Sequence, residues 1–205
     1  MIHIKAHPAP APIMGHMDSA LFPPTLDYDH PLDTIEVCHG RIRRQLLLLR
    51  KLAAHVRFKG IDAEARDVAA FLLRFFETTA SDHHDDEEDF LFPAIEHFAP
   101  SLELNAVRAL LFQLRGDHKK FDGRWNDMRP RLAAMAEGRE GGLTEELAAR
   151  FDEGYGQHMD FEERDLLPLA RRVLPPDAVA RLGKSMSRRR ASPSALGEGR
   201  GEGNA

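Results

Sequence analysis

Apolar residues recur at alternating steps of three and four through most of this chain, a spacing typical of amphipathic helices. Four such stripes begin near residues 32, 68, 104 and 147. The second stripe contains Val68, Leu72, Phe75, Thr79, His83, Glu87, Phe90 and Ala94. No segment alternates apolar and polar residues with period two, so no sheet is expected. The pattern predicts an all-α fold, an up-and-down antiparallel four-helix bundle.

Helix-breaking and capping residues fall between the stripes, and they include Gly60, Asp62, Pro100, Gly138 and Thr144. Pro31 suits the first turn of the first helix, and Ser101 is a candidate N-cap for the third. A short extra helix is expected after the bundle, from Pro176 to about Met186.

The two ends of the chain differ in composition from its middle. Residues 1–28 are rich in Pro and have almost no apolar periodicity, which predicts a flexible N-terminal segment. From Arg188 onward the chain consists of Arg, Ser, Pro, Gly and Glu with too little apolar surface to offset the cost of ordering it. We therefore expect one bundle domain over residues 29–187 and a disordered tail over residues 188–205.

Composition narrows the class of protein. The 205 residues carry a formal net charge of -5, which disfavours binding to nucleic acid or to an anionic membrane. The single Cys excludes both a disulfide framework and a cluster of thiolate metal ligands. No apolar run approaches the roughly 20 residues that span a bilayer. These features predict a soluble, cytoplasmic protein.

Polar side chains interrupt the apolar stripes at one level of the predicted bundle. Each long helix places a His in its core-facing row, and two of them add a Glu four residues later on the same face. These residues are His39, His83, Glu87, His118, His158 and Glu162. Counted from the turns, the His residues agree in height within about one helical turn for most pairs. Since a buried carboxylate without a partner is costly, the six groups should face one another.

The second and fourth helices share a longer pattern. His-x-x-x-Glu-Glu-x-x-Leu-[Phe/Leu]-Pro occurs at residues 83–93 and again at residues 158–168. Each half of the chain is thus a helical hairpin with one lone His and one His-x-x-x-Glu. Two such hairpins predict a quasi-symmetric cage for two metal ions, with bridging carboxylates and terminal imidazoles. Nitrogen and oxygen ligands without sulfur favour iron, manganese or zinc.

Several nearby residues leave alternatives open. His84 has the same spacing to Glu88 as His83 has to Glu87, although the repeat favours His83. Glu88 and Glu163 point about 100° away from the ligand face, so they are either solvated or supports for the ligands. Tyr155 could face the site or pack in the core.

The sequence also predicts the roles of a Cys, a His and two Pro residues near the proposed centre. Cys38 reads as a small buried residue. His55 is too far along its helix from His39 to serve the same centre. Pro93 and Pro168 should kink or end their helices below the metal layer.

On these residues and motifs, the sequence over about residues 30–173 resembles the hemerythrin-like (HHE cation-binding) family. The resemblance implies a four-helix bundle that holds two iron ions as a non-haem, oxo- or hydroxo-bridged diiron centre. It implies His39, His83, His118 and His158 as terminal ligands, with Glu87 and Glu162 as bridges. Oxygen-carrying hemerythrins have an additional His on the third helix and an Asp on the fourth. Here a single His118 is flanked by Asp117 and Lys119.

The resemblance and the open iron positions together predict function. We expect binding of dioxygen or a related ligand, nitric oxide or peroxide, for sensing or stress response, with a sensor needing a separate protein partner. A diiron enzyme or iron-handling protein is the alternative: it would reduce peroxide or nitric oxide, oxidise ferrous iron, or donate iron for Fe–S repair. A metal-free helical interaction module is the third interpretation.

Overall fold

The structure is a computed structural model that describes residue 13 and residues 26–191. Five helices follow one another in these residues, and no strand is present in this part of the chain. They are α1 (Pro31–Lys59), α2 (residues 63–98), α3 (Leu104–Ala136), α4 (residues 145–173) and α5 (Pro176–Ala191). The all-α prediction is confirmed.

The four long helices form the bundle by packing against their neighbours in sequence. α2 packs along α3, and α1 closes the ring by packing against α4. Pro31 starts α1 as predicted. The carboxylate of Asp62 caps α2 by accepting from the Ala65 N–H, and the Thr144 hydroxyl caps α4 by accepting from the Leu147 N–H. Ser101 is not the cap of α3, because a turn at residues 101–103 precedes a helix that starts at Leu104.

The apolar core has two parts separated by a polar layer. One cluster lies toward the α1–α2 and α3–α4 turns and includes Leu46, Leu72 and Phe151. The other lies toward the α2–α3 turn and the α4–α5 junction and includes Ile35, Leu91, Leu111 and Leu166. On α1, α2 and α3 the core-facing His falls between residues of the two clusters, and on α4 His158 lies beside Met159, the last residue of the first cluster. The predicted polar residues therefore lie at mid-height of the bundle.

π-helical turns displace the predicted stripe of α2. Turns at Phe76–Ala80 and Glu87–Leu91 interrupt its α-helical hydrogen bonding. Each such turn takes an extra residue and locally shifts which positions face the core. Phe75, Thr79, Phe90 and Ala94 are only partly buried, and the fully buried residues beside them are Phe76, Ala80, Leu91 and Ile95. His83 and Glu87 are buried at their predicted positions.

Pro93 and Pro168 do not end their helices. These helices continue past the prolines to Phe98 and Val173. A π-helical turn precedes each proline, at Glu87–Leu91 and Glu162–Leu166. In both turns the N–H of the residue before the proline donates to the carbonyl of the bridging Glu, five residues back. The wider turn accommodates a ring that lacks an N–H and would clash with an α-helical carbonyl.

α5 extends five residues beyond the predicted end at Met186, so residues 188–191 are helical although the sequence predicted a disordered tail from Arg188. The reason is electrostatic, because Arg189 and Arg190 both bond the fully buried carboxylate of Asp86 on α2. Residues 192–205 of the predicted tail lie outside the described residues. So does most of the predicted flexible N-terminal segment, of which Ile13 is buried and packs against the core. Within the described residues, no helix has the length and apolarity needed to cross a membrane.

Candidate metal centre

The structure brings together all six residues that the sequence singled out. α1 contributes His39, α2 contributes His83 and Glu87, α3 contributes His118, and α4 contributes His158 and Glu162. Each of the six is at most 3% exposed. Their ligand atoms form two groups of four that share the two carboxylates, with the atoms in each group within 4.8 Å of one another. One group adds His39 and His83, and the other adds His118 and His158.

Each of the two carboxylates directs one oxygen to one His pair and its other oxygen to the other pair. Glu87 places Oε1 3.5 Å from His83 Nε2 and Oε2 3.5 Å from His118 Nε2. Glu162 places Oε2 3.2 Å from His39 Nε2 and Oε1 3.3 Å from His158 Nε2. Ions bound in the two groups would each be held by two imidazoles and by one oxygen of each carboxylate.

Buried atoms without hydrogen-bond partners concentrate at this layer. They include both carboxylate oxygens of Glu87 and of Glu162 and the Nε2 atoms of His39 and His83. Polar atoms left unpaired in a core are costly, and native proteins rarely contain several together. Metal ions between the groups would satisfy all of them at once. The donor set of nitrogen and oxygen without sulfur fits iron.

The second Glu of each repeat orients the lone His of the other hairpin. Glu163 Oε1 lies 2.9 Å from His39 Nδ1, and Glu88 Oε1 lies 2.6 Å from His118 Nδ1. A carboxylate at Nδ1 holds the ring proton there, which leaves the Nε2 lone pair free to bind a metal. Of the two alternatives for these residues, the structure therefore shows contact with the candidate ligands. Sequence reasoning missed Arg43, which donates to Glu163 Oε1 at 2.6 Å.

The four layer histidines do not share one electrostatic environment. Burial lowers the pKa of His83 well below its usual value and that of His158 to about 4, so both are neutral near pH 7. Burial also acts to lower the pKa of His39, but its contacts with the carboxylates of Glu162 and Glu163 outweigh burial and raise that pKa. Neutral imidazoles are the form that binds metal.

The two bridging carboxylates differ as well. Burial and then the charge of Glu162 raise the pKa of Glu87 well above its usual value. Burial acts in the same direction on Glu162, but its contacts with His158 and His39 outweigh it and lower its pKa. In the metal-free site the negative charge therefore resides on Glu162.

His84 and Tyr155, which the sequence left undecided, both lie beside the layer. The His84 ring stacks on His118 at 4.2 Å between centroids and on Tyr155 at 5.7 Å. Tyr155 also stacks on Phe121 at 4.3 Å and belongs to the apolar cluster nearer the α1–α2 turn. Burial raises its pKa, which keeps the phenol protonated.

The other candidates lie away from the layer. His55 bonds the Asp62 carboxylate at 2.9 Å, where it stabilises the α1–α2 turn. It is absent from both four-residue groups, in agreement with its predicted exclusion from the centre. Cys38 is buried beside the ligand His39, as expected of a small core residue.

Comparison with known proteins agrees with this architecture. The hemerythrin HHE cation-binding domain matches residues 30–170. The chain belongs to the hemerythrin HHE cation-binding family. The match covers all four long helices and both His-x-x-x-Glu-Glu repeats, and it identifies cation binding as the property of this domain.

A relative in Haemophilus influenzae strain Rd is 26% identical over 163 residues, which is 80% of this chain and 91% of the relative. That protein is described as uncharacterized, so this comparison assigns no activity to the chain.

Proposed function

We propose that this hemerythrin-family chain is a cytoplasmic, non-haem diiron protein that binds dioxygen or a related small ligand, nitric oxide or peroxide, for sensing or stress response. One observation carries the proposal. Glu87 and Glu162 each direct their two oxygens to different His pairs, an arrangement that suits two ions, one beside each pair. Each ion would take two imidazole nitrogens and two carboxylate oxygens from the six residues.

Four protein donors per ion leave room for a further ligand. Iron in a site of oxygen and nitrogen donors commonly takes about six ligands, and family sites with open positions bind small molecules. When bound, the iron pair supplies reversible electron transfer and a Lewis-acidic position for the small ligand. The protein supplies the rigid cage that keeps this position open.

The residues around the cage affect its access to water, the orientation of its histidines and the entry of a small ligand. Apolar clusters lie on both sides of the layer and exclude bulk water along the bundle axis. Glu88 and Glu163 hold the Nδ1 protons of His118 and His39, which fixes both rings for binding through Nε2. Two lateral cavities reach the candidate ligands, one of about 420 Å³ at His118 and one of about 540 Å³ at His158. They provide routes for a small ligand.

Metal analysis of protein purified without chelator, followed by anaerobic ferrous reconstitution, tests the proposal. We expect about two irons per chain and a near-ultraviolet and visible spectrum that changes with dioxygen or nitric oxide and reverses under argon. His158→Ala should lose iron, while His97→Ala, at an exposed residue on α2, should not.

Two other outcomes would replace the proposal. Repeated turnovers that consume peroxide or nitric oxide would favour the diiron enzyme. Fewer than about one iron per chain, with unchanged stability in His158→Ala, would favour the metal-free helical module.

A further inference from the structure

The C-terminal part of α5 is joined to α2 by ionic contacts with a buried carboxylate. Arg189 Nε donates to Asp86 Oδ1 at 2.9 Å, and Arg190 Nη1 donates to Asp86 Oδ2. Arg189 also donates to Asp89 Oδ2 at 2.7 Å, about one turn further along α2. Because the Asp86 side chain is fully buried, the two guanidinium groups supply the charge and the hydrogen bonds that water would otherwise give it. Loss of both would leave an uncompensated charge in the core.

The two residues that Arg190 contacts in the core each precede a candidate ligand in the sequence. Asp86 comes directly before the bridging Glu87 on α2, and Cys38 comes directly before His39 on α1. The Arg190 side chain bonds the Asp86 carboxylate and lies within hydrogen-bond reach of the Cys38 thiol. Asp86 and Cys38 are at most 1% exposed. One guanidinium group of α5 therefore contacts the chain beside the ligands of two different helices.

The part of α2 that carries the ligands lies between two π-helical turns. Residues Ser81–Asp86 are α-helical, with a π-helical turn before them at Phe76–Ala80 and another after them at Glu87–Leu91. His83 lies within this segment, and Glu87 begins the second π-helical turn. A shift of either turn by one residue would rotate the side chains next to it by about 100°. The direction of these ligands therefore depends on contacts that hold the segment from outside.

The corresponding part of α4 is built differently. Residues Glu145–Phe161 are α-helical up to the π-helical turn at Glu162–Leu166, so only one such turn lies beside His158. In the repeat, the position of Asp86 is occupied by Phe161, which packs against the apolar cluster of the α4–α5 junction. The buried ionic contact is thus found on the helix whose ligand segment has a π-helical turn on both sides.

We propose that Arg189 and Arg190 are positioning residues of the metal centre. By bonding Asp86, they hold the segment between the two π-helical turns of α2 in the register that directs Glu87 to both His pairs. The docking of α5 on α2 is then coupled to metal retention, and by reciprocity bound metal favours the docked helix. This inference rests on the proposed two-metal function.

Titration of the metal-free chain with Co²⁺ against a competing chelator tests the role in wild type and two variants. Arg190→Gln removes one guanidinium group while Arg189 still compensates the charge of Asp86. The triple variant Asp86→Asn, Arg189→Gln and Arg190→Gln removes the contact without leaving an unpaired buried charge. We expect Co²⁺ to bind a few-fold more weakly in the single variant and about tenfold more weakly or worse in the triple variant.

Amide hydrogen exchange of the metal-free chain separates positioning from general stability. In both variants, protection should fall at residues 81–91 of α2, while residues 158–166 of α4 keep their wild-type protection. Arg188→Gln changes an exposed arginine of the same helix and should alter neither exchange nor Co²⁺ affinity. Leu132→Ala creates a cavity in the apolar cluster nearer the α1–α2 turn. It should lower the melting temperature without a selective change at residues 81–91 and without loss of Co²⁺ affinity.

The outcomes separate this role from the proposed function. Wild-type Co²⁺ affinity in the triple variant would overturn the positioning role and leave the two-metal site intact. An equal loss of affinity in Leu132→Ala, or a loss of protection spread evenly over the helices, would assign the effect to general stability and also overturn it. Absence of Co²⁺ binding in wild type would instead refute the proposed function, and the positioning role with it.

Discussion

The two hairpins of this bundle use the same three side chains and surround them differently. In each, the repeat His and the first Glu face the centre, while the second Glu crosses to the lone His of the other hairpin. Glu163 is also held by Arg43, whereas Glu88 contacts His118 alone among the described residues. The Glu–His contacts across the centre therefore tie each hairpin to the other.

The difference between the halves lies in charge and in one extra ligand-type residue. The metal-free site places negative charge on Glu162 and a proton on Glu87, although the two residues occupy equivalent positions. His84 on α2 corresponds to Met159 on α4. Duplication of the motif thus specifies which atoms converge, while neighbouring residues outside the motif decide how the two halves of the site differ.

Replacing Glu87 and Glu162 in turn with Gln should produce the largest effects and should distinguish the two halves of the site. Glu87→Gln and Glu162→Gln should each weaken binding of both ions by about 100-fold or more, because each replaces one bridging oxygen with an NH2 group and removes the negative charge that the two ions would share. In the metal-free chain they should diverge. Glu87→Gln should raise the melting temperature by a few degrees because it removes a costly buried acid, and Glu162→Gln should lower it because His39 loses its counter-charge. Chelator competition and calorimetry measure the two effects, and equal melting shifts would contradict the assigned charges.

Acid should destabilise the metal-free chain through His158. Its folded pKa of about 4 lies below the unfolded value near 6.5, so between these values the unfolded state binds a proton that the folded state does not. Stability should be complete above about pH 6.5 and fall toward pH 4 by about 3 kcal/mol from this residue alone. Urea unfolding at several pH values would show a flatter profile for His158→Phe and an unchanged one for His97→Phe. An identical slope in His158→Phe would assign the proton uptake elsewhere.

Replacing the two Glu residues that orient the lone histidines should have a smaller effect on metal binding. Glu88→Gln and Glu163→Gln should each weaken metal binding by about 10-fold, because the Nδ1 proton of one ligand is held less firmly. The contact with His39, together with Arg43, keeps the pKa of Glu163 at about 2. Wild type should therefore keep the Glu163 carboxylate charged through mild acid. Isothermal titration with Fe²⁺ at pH 5.5 and 7 measures both, and no loss in either variant would make these carboxylates mere surface acids.

Removing Arg43 is the mildest test. Arg43→Gln should weaken binding only a few-fold, since Glu163 keeps its bond to His39. In the double variant with Glu163→Gln, the Arg43 change should add nothing, because its effect passes through that carboxylate. Additive losses would show that Arg43 acts on the site by another route.

The sequence predicted the helices and the ligand layer because both follow from periodicity. His39, His83, His118 and His158 lie in core-facing rows, and the spacing of four in the two repeats needs no tertiary information. The register of α2 could not be predicted, since a π-helical turn leaves no strong signal in composition. The sequence also did not predict the contact of Arg43 with Glu163 or the contacts of Arg189 and Arg190 with Asp86. These contacts join residues about a hundred positions apart.

The apolar core is divided into two clusters by the polar layer at the middle of the bundle. Apolar packing joins the helices near both ends, whereas the middle contains the buried His and Glu side chains. Without bound metal, buried polar groups that lack hydrogen-bond partners would face one another there, while both ends of the bundle stay packed. Amide hydrogen exchange at the midpoints of the four helices would then report how far the site is filled with cation, with the helix ends as an internal reference.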